Sequence, residues 1–149
     1  MIYTVSEMAK LLNMTPSMLR FYDREGLLPF VQRSESGIRV FTDNDLPWLK
    51  LISCLKRAGM SLKDIRHYIE MAMEGNETID ARLQMFIDQR EKLPAQMEEL
   101  QKTLDIVEYK CWYYQTAKET GSEEIPKNIA DEALPEKFRS TRKFLRENN

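Results

Sequence analysis

The sequence predicts an all-α fold carrying one small β-hairpin, and three observations predict it. Apolar residues recur at helical spacing in four short segments of the first 75 residues, with hydroxyl or carboxylate caps before them and glycines after most of them. A strand-like pattern is confined to the stretch around Gly37. From Thr78 onward an apolar residue returns every three or four positions as far as Tyr114, the mark of one long helix.

In order, SEMAKLL (6–12) places Met8, Ala9, Leu11 and Leu12 at helical spacing, with Thr4 or Ser6 as cap and Asn13-Met14 as a tight corner. In MTPSMLRFYDREGLL (14–28), Thr15 is an N-cap and Pro16 stands at the first helical position, where its missing N–H costs nothing. Gly26 ends that helix after only a few turns. FVQR and IRVF, flanking SESG, read as two short strands with Gly37 at the turn position that needs positive φ. Thr42 with Asp45 gives a capping-box-like start to a third helix that reaches Arg57 and stops at Gly59, with Pro47 near the end of its first turn. Ser61 with Asp64 repeats the cap for a fourth helix to about Met73, before the break EGN at 74–76.

The long helix is expected from Thr78 to about Thr120. Its seam runs through Ile79, Leu83, Phe86, Arg90, Leu93, Met97, Leu100, Leu104, Val107, Cys111 and Tyr114, with only Arg90 breaking the apolar series. Such a helix is roughly 60 Å long and cannot bury the stripe by itself, so a second copy of the chain is the economical partner. Pro94 predicts a kink, because its ring collides with the carbonyl of Arg90. From Gly121 the expectation is loops, a short helix near Pro135 to Arg146, and frayed ends. The chain thus divides into a compact domain (1–75), a coiled-coil dimerisation helix (76–120) and a tail (121–149).

Composition narrows the function. Hydrophobic residues make up 42% and charged residues 31%, as in a folded soluble protein, and no apolar run approaches the roughly 18 residues of a membrane span. MIYTVSEMAK lacks the apolar core of a secretory signal, so a cytoplasmic location is expected. Two cysteines, Cys54 and Cys111, and one histidine, His67, give neither a disulfide framework nor a metal pattern; no metal and no cofactor are expected. No carboxylate pair, nucleophile with base or phosphate loop stands out, which argues against an enzyme. The net charge of −2 conceals a slight asymmetry. Residues 1–75 hold ten Lys/Arg against nine Asp/Glu, and residues 76–149 hold twelve against fifteen.

On the helix after Pro16, Met18, Leu19 and Tyr22 share a face able to pack on Met8, Ala9 and Leu12. Ser17, Arg20, Phe21 and Arg24 share the opposite one, at i, i+3, i+4 and i+7. Two helices across a tight turn, the second presenting a cationic and aromatic face, form a helix-turn-helix, whose second helix enters the DNA major groove. The free amides at Thr15 to Ser17 suit a phosphate, as does the start of the fourth helix at Ser61 and Lys63. The hairpin, with Arg33 and Arg39, would be a wing reaching backbone or minor groove.

These pieces together resemble the MerR family of transcription regulators over residues 1 to about 120. YTVSEMAK matches the first helix, TPSMLRFYDREGLL the recognition segment, SGIRVF the wing, FTDNDLPWLKLI and GMSLKDI the paired helices, and YKCWYY the end of the long helix. The resemblance implies a winged helix-turn-helix domain followed by a long antiparallel coiled-coil dimerisation helix. It implies a homodimer on double-stranded, pseudo-palindromic promoter DNA that kinks and untwists an over-long spacer so that RNA polymerase engages both promoter elements. Ser17 and Arg20 would face bases or phosphates, Arg39 would serve from the wing, and Lys63 would approach the backbone. Phe21 and Ile38 stand where the family often has tyrosine, and a hydroxyl contact is lost at each.

Cys54 shares a helix face with Lys50 and Arg57, cations that favour the reactive thiolate. Two readings stand side by side: a buried cysteine packing as a small apolar residue, or a thiol sensor, as in the family branch associated with aldehyde, electrophile or redox response, whose lone cysteine occupies a similar context. Cys111 is expected in packing. Trp112, Tyr113 and Tyr114 form either a ligand pocket with the tail or, as favoured, packing where the helix end docks on the partner's DNA-binding domain; His67 is expected at the surface. The alternatives to the main reading are a coiled-coil interaction adaptor with a vestigial helix-turn-helix, and a regulator that senses a small ligand non-covalently.

Overall fold

The computed structural model describes residues 1–147 and consists of two compact units, Met1–Glu91 and Lys92 onward. Its elements are β1 (Ile2–Tyr3), α1 (Val5–Leu11), α2 (Pro16–Arg24), β2 (Gln32–Arg33), β3 (Arg39–Thr42), α3 (Leu46–Arg57), α4 (Leu62–Glu74), a 3-10 turn (Asn76–Thr78), α5 (Ile79–Thr120), α6 (Glu124–Asn128) and α7 (Glu136–Glu147). The fold is therefore helical with a small antiparallel sheet, as the sequence predicts.

Local signals set most boundaries. Thr4, rather than Ser6, caps α1 through a reciprocal box: Glu7 N–H donates to the Thr4 hydroxyl at 3.3 Å, and Thr4 N–H donates to the Glu7 carboxylate at 2.8 Å. The Thr4 backbone donor, followed by its hydroxyl, holds the Glu7 carboxyl below its ordinary pKa. Asn13 turns the corner at φ 54°, and Thr15 accepts from Met18 N–H at 3.2 Å to open α2. The start of α3 differs from expectation: no side chain caps its amides. Instead the Asp45 carboxylate accepts from the Thr42 N–H at 2.7 Å and hydroxyl at 2.9 Å, half of a capping box, and Pro47 falls in the first turn, where it displaces no helical donor.

The hairpin closes through Gly37 at φ 79°, with Gln32 opposite Val40 and Arg33 opposite Arg39. A third strand, β1, completes the order β1-β3-β2, pairing Ile2 with Thr42 and Tyr3 with Phe41. Two residues are too few to show alternation, so this strand is silent in the sequence.

The first unit buries Met8, Ala9, Leu19, Tyr22, Leu27, Leu28, Phe41, Leu49, Ile52, Ile65 and Ile69 in one core. At its rim a relay of rings, Phe30, Trp48, Tyr68 and Phe86, has successive centroids 5.5, 6.1 and 5.1 Å apart. The relay brings in the first turns of α5, where Gln89, only 7% exposed, donates to the Ala58 carbonyl at 2.8 Å. Phe86, expected in the dimerisation seam, is thus engaged within its own chain, because the chain turns back after Gly75 and sets α5 beside Tyr68. The first compact unit therefore extends through Glu91 and takes in the first turns of α5.

In the second unit, α5 continues through Pro94 without ending. Met97, Leu100, Leu104, Val107, Cys111 and Tyr114 of the expected seam are exposed, and Leu93 is half-buried. Tyr109 and Tyr113 are buried with Leu134 and Phe138, and Trp112, Ile129 and Leu145 pack around them. At about 100° per residue, Tyr109 points some 180° away from Leu100, so the helix carries two opposed apolar faces. The tail folds back: Lys137 pairs with Glu108 at 3.7 Å, and Phe144, further along α7, lines a groove with Glu99 and Thr103. The short helix expected near Pro135 to Arg146 is α7, and a further short helix, α6, stands where loops were expected. Trp112 packs on Phe138 of the chain's own α7, with Tyr113 in the same cluster, where docking on the partner's DNA-binding domain was expected.

Candidate nucleic-acid interface

The buried side of α2 consists of Leu19 and Tyr22, 1% and 4% exposed, set against Met8 and Ala9 of α1. Its outer side consists of Ser17, Arg20 and Arg24, all exposed. Two expected positions differ. Met18 is 44% exposed instead of packed, whereas Phe21 is half-buried against the core and presents only part of its ring outward. Among the described residues, Arg20 and Arg24 have no carboxylate or carbonyl partner, so their guanidiniums are free to meet phosphate or base edges.

The wing arginines behave otherwise. Arg33 donates to the Gly37 carbonyl at 2.9 Å across the wing tip and to Asp23 at 3.2 Å. Arg39, whose side chain is 18% exposed, donates to the same Asp23 and to the Val31 carbonyl, leaving its Nε buried without a partner. Arg39, expected to contact DNA from the wing, is turned inward as a strut between α2 and the hairpin. Asp23, at i+3 from Arg20 on the reading helix, is the residue the sequence reasoning missed. A carboxylate three positions after one arginine and just before another reads as an ordinary solvated pair until the hairpin is folded beside it. Arg66 of α4, also missed, donates to the Glu25 carbonyl at 3.2 Å and so caps the end of α2. The helix that carries Arg20 is therefore fixed at both ends.

At the start of α4 the Ser61 hydroxyl accepts from Asp64 N–H at 3.1 Å and donates to the Asp64 carboxylate at 2.7 Å, so it is occupied in capping. Thr15 is likewise a cap. What these two positions offer an anion is their neighbouring helix amides rather than their hydroxyls. Lys63 is exposed and without an ionic partner among the described residues. Of the cations predicted on α2, the hairpin and the start of α4, Arg20, Arg24 and Lys63 are the ones without a carboxylate or carbonyl partner among the described residues.

Cys54 is exposed on α3, which removes the buried-cysteine reading, and Cys111 is exposed on α5 in the single chain. His67 is exposed, as expected. Among the described residues no group of three or more His, Cys, Asp or Glu side chains is placed to hold a metal ion, and no helix is long and apolar enough to cross a membrane.

Residues 3–72 match the model of the MerR HTH family regulatory protein, and residues 46–108 match that of the MerR, DNA binding family. An uncharacterized HTH-type transcriptional regulator of Haemophilus influenzae is 48% identical over 122 residues, covering 82% of this chain and 90% of its own. The HTH-type transcriptional regulator AdhR of Bacillus subtilis is 36% identical over 89 residues, 60% of this chain and 64% of that one. Among solved structures, HiNmlR, a MerR family regulator lacking the sensor domain and crystallised bound to promoter DNA, is 48% identical with a TM-score of 0.75, over 83% of this chain and 98% of that one. A MerR family regulator from Bacillus thuringiensis is 37% identical with a TM-score of 0.69, over 74% and 97% of the two chains.

Proposed function

From the premise that the chain belongs to the MerR family and is a DNA-binding transcriptional regulator, we propose that two copies pair through the bare face of α5 and place two α2 helices in successive major grooves of a promoter. Each α2 reads base edges and phosphates through Arg20, with Ser17 beside it, while Arg24 and Lys63 hold the backbone. The wing stands beside the duplex, its orientation set by Asp23. Held at a fixed separation, the two heads bend and untwist the intervening DNA, and RNA polymerase meets the altered promoter in the cytoplasm.

The observation that carries this reading is the pair of unpartnered, exposed guanidiniums on the outer face of α2, on a helix whose inner face and both ends are fixed. Preorganised cations on a rigid element lose little freedom on binding. The test is fluorescence anisotropy with the DNA upstream of the gene across a salt series. Specific binding that falls steeply as salt rises supports the reading; feeble binding indifferent to sequence and symmetry leaves an adaptor in its place.

The signal proposed is modification of Cys54. Its thiol is exposed, and Lys50 and Arg57 lie one turn to either side on the same helix, so a modifying reagent can reach the sulfur directly. A Cys54→Ser variant that responds to aldehyde or peroxide as the parent does would remove this part of the proposal and leave the DNA reading intact.

A further inference from the structure

The tail contains a charge pattern that DNA reading by the first unit does not use. On α7, Arg139, Arg142, Lys143 and Arg146 stand at i, i+3, i+4 and i+7, so four cations share one side of a twelve-residue helix and line a single cleft with Asp131 and Ser140. Three of the four are fixed. Arg139 donates to the Glu132 and Leu134 carbonyls at 3.0 and 3.3 Å, Arg142 to the Ile129 carbonyl at 2.7 Å, and Arg146 to the Lys127 carbonyl at 3.2 Å.

Carbonyls orient a guanidinium without neutralising it. The carboxylates at hand are Asp131, paired with Arg142, and Glu147, 3.5 Å from Lys143, which leaves four positive charges against two negative ones. Arg142 is 3% exposed, and its Nε is buried with no acceptor. A buried, incompletely satisfied guanidinium behind a row of oriented cations is under-compensated in the fold as it stands. The elements concerned lie beyond residue 108, where the family models end.

We infer that this cleft binds a phosphate group. Guanidiniums in fixed positions match phosphate oxygens through paired N–H donors, and Lys143 adds a point charge at the rim. The phosphate comes either from a free phosphorylated metabolite or from a DNA backbone, and the same titrations separate the two.

The probe is inorganic pyrophosphate, titrated calorimetrically into the full-length protein at constant ionic strength set with sodium chloride. Saturable binding in the submillimolar range is expected, weakened about tenfold or more in Arg139→Gln/Arg146→Gln. Because those arginines also hold the loop before α7, Lys143→Gln is measured beside them: it touches no loop carbonyl and is expected to weaken binding while leaving the thermal melt unchanged. If operator affinity is the same in these variants, the source is a free anion. If operator affinity falls and its salt dependence loses roughly one to two phosphate contacts, the source is the backbone. No saturable pyrophosphate binding together with unchanged operator affinity overturns the inference, whether or not the first unit proves to bind its operator.

Discussion

Beyond Lys92 the two faces of α5 are both rich in large apolar side chains and meet opposite fates. On one, Tyr109 and Tyr113 lie under Phe138 and Leu134 of the chain's own tail; on the other, Met97 and Leu100 are 71% and 70% exposed. The covered face is stacked with rings, Tyr109 to Phe138 at 5.8 Å and Trp112 to Phe138 at 5.8 Å, whereas the bare one is without rings from Met97 to Cys111 and is spaced in threes and fours. The first is a core closed within one chain. The second is a seam whose burial needs another chain, because apolar surface on this scale gains from leaving water only when something covers it.

The same contrast appears among the arginines of the first unit. Arg33 and Arg39 are committed to Asp23, and Arg20 and Arg24 have no carboxylate or carbonyl partner among the described residues. In both cases the satisfied group builds the fold and the unsatisfied one is what the proposed function assigns to a partner.

The sharpest way to break the comparison is to charge the bare face. Leu100→Asp with Leu104→Asp is expected to turn a dimer into a monomer by sedimentation velocity and to abolish specific operator binding, while far-UV circular dichroism keeps the helices of the first unit. A dimer that persists would place the partner elsewhere. Truncating the covered face should do the reverse. Phe138→Ala, at a side chain 4% exposed, is expected to cost about 3 kcal/mol or more of local stability, seen as lost amide protection in α7 and altered Trp112 fluorescence, with the dimer retained. Dissociation of that variant would show that the two faces are not independent.

Next in size is Arg20→Ala, expected to reduce operator affinity by about 1–3 kcal/mol and relax sequence preference, whereas Arg24→Ala weakens all sequences alike and lowers the salt slope by about one. If the two variants behave identically, the division between reading and holding is wrong. Asp23→Asn should lower stability by about 1 kcal/mol, the pairs being partly exposed, and loosen the wing; amide exchange of β2 and β3 is the measure.

The smallest effect is acid sensitivity at α1. The Glu7 pKa is lowered on folding, so its contribution is present above the ordinary carboxylate range and is lost as pH falls through the depressed folded value. The melting temperatures of the parent and Glu7→Gln should differ at neutral pH and converge in acid.

Much of this was legible before folding. Caps and stops at Thr15, Ser61, Gly26 and Gly59 act within a few residues, so their signals survive in one dimension. The outward set Ser17, Arg20 and Arg24 followed from helical spacing. The packing of Phe86 on its own chain is not legible, because a seam defined by period alone cannot tell which turns of a long helix lie beside Tyr68. The packing of Trp112 and Tyr113 was foreseen, but its partner was not: α7 begins 22 residues after Tyr114, and spacing carries no information across such a gap.

The sequence by itself determined the longer helices and most of their ends, the hairpin, and the outward set of cations on α2, since all rest on hydrogen bonds and periodicities internal to a few turns. Only the tertiary structure decided which cations are free. Asp23 draws Arg39 inward, and the carbonyls before α7 orient three arginines, through contacts between residues 5 to 19 positions apart, and a third strand two residues long completes the sheet. Charge is written in the chain, but its compensation is a matter of distance in space.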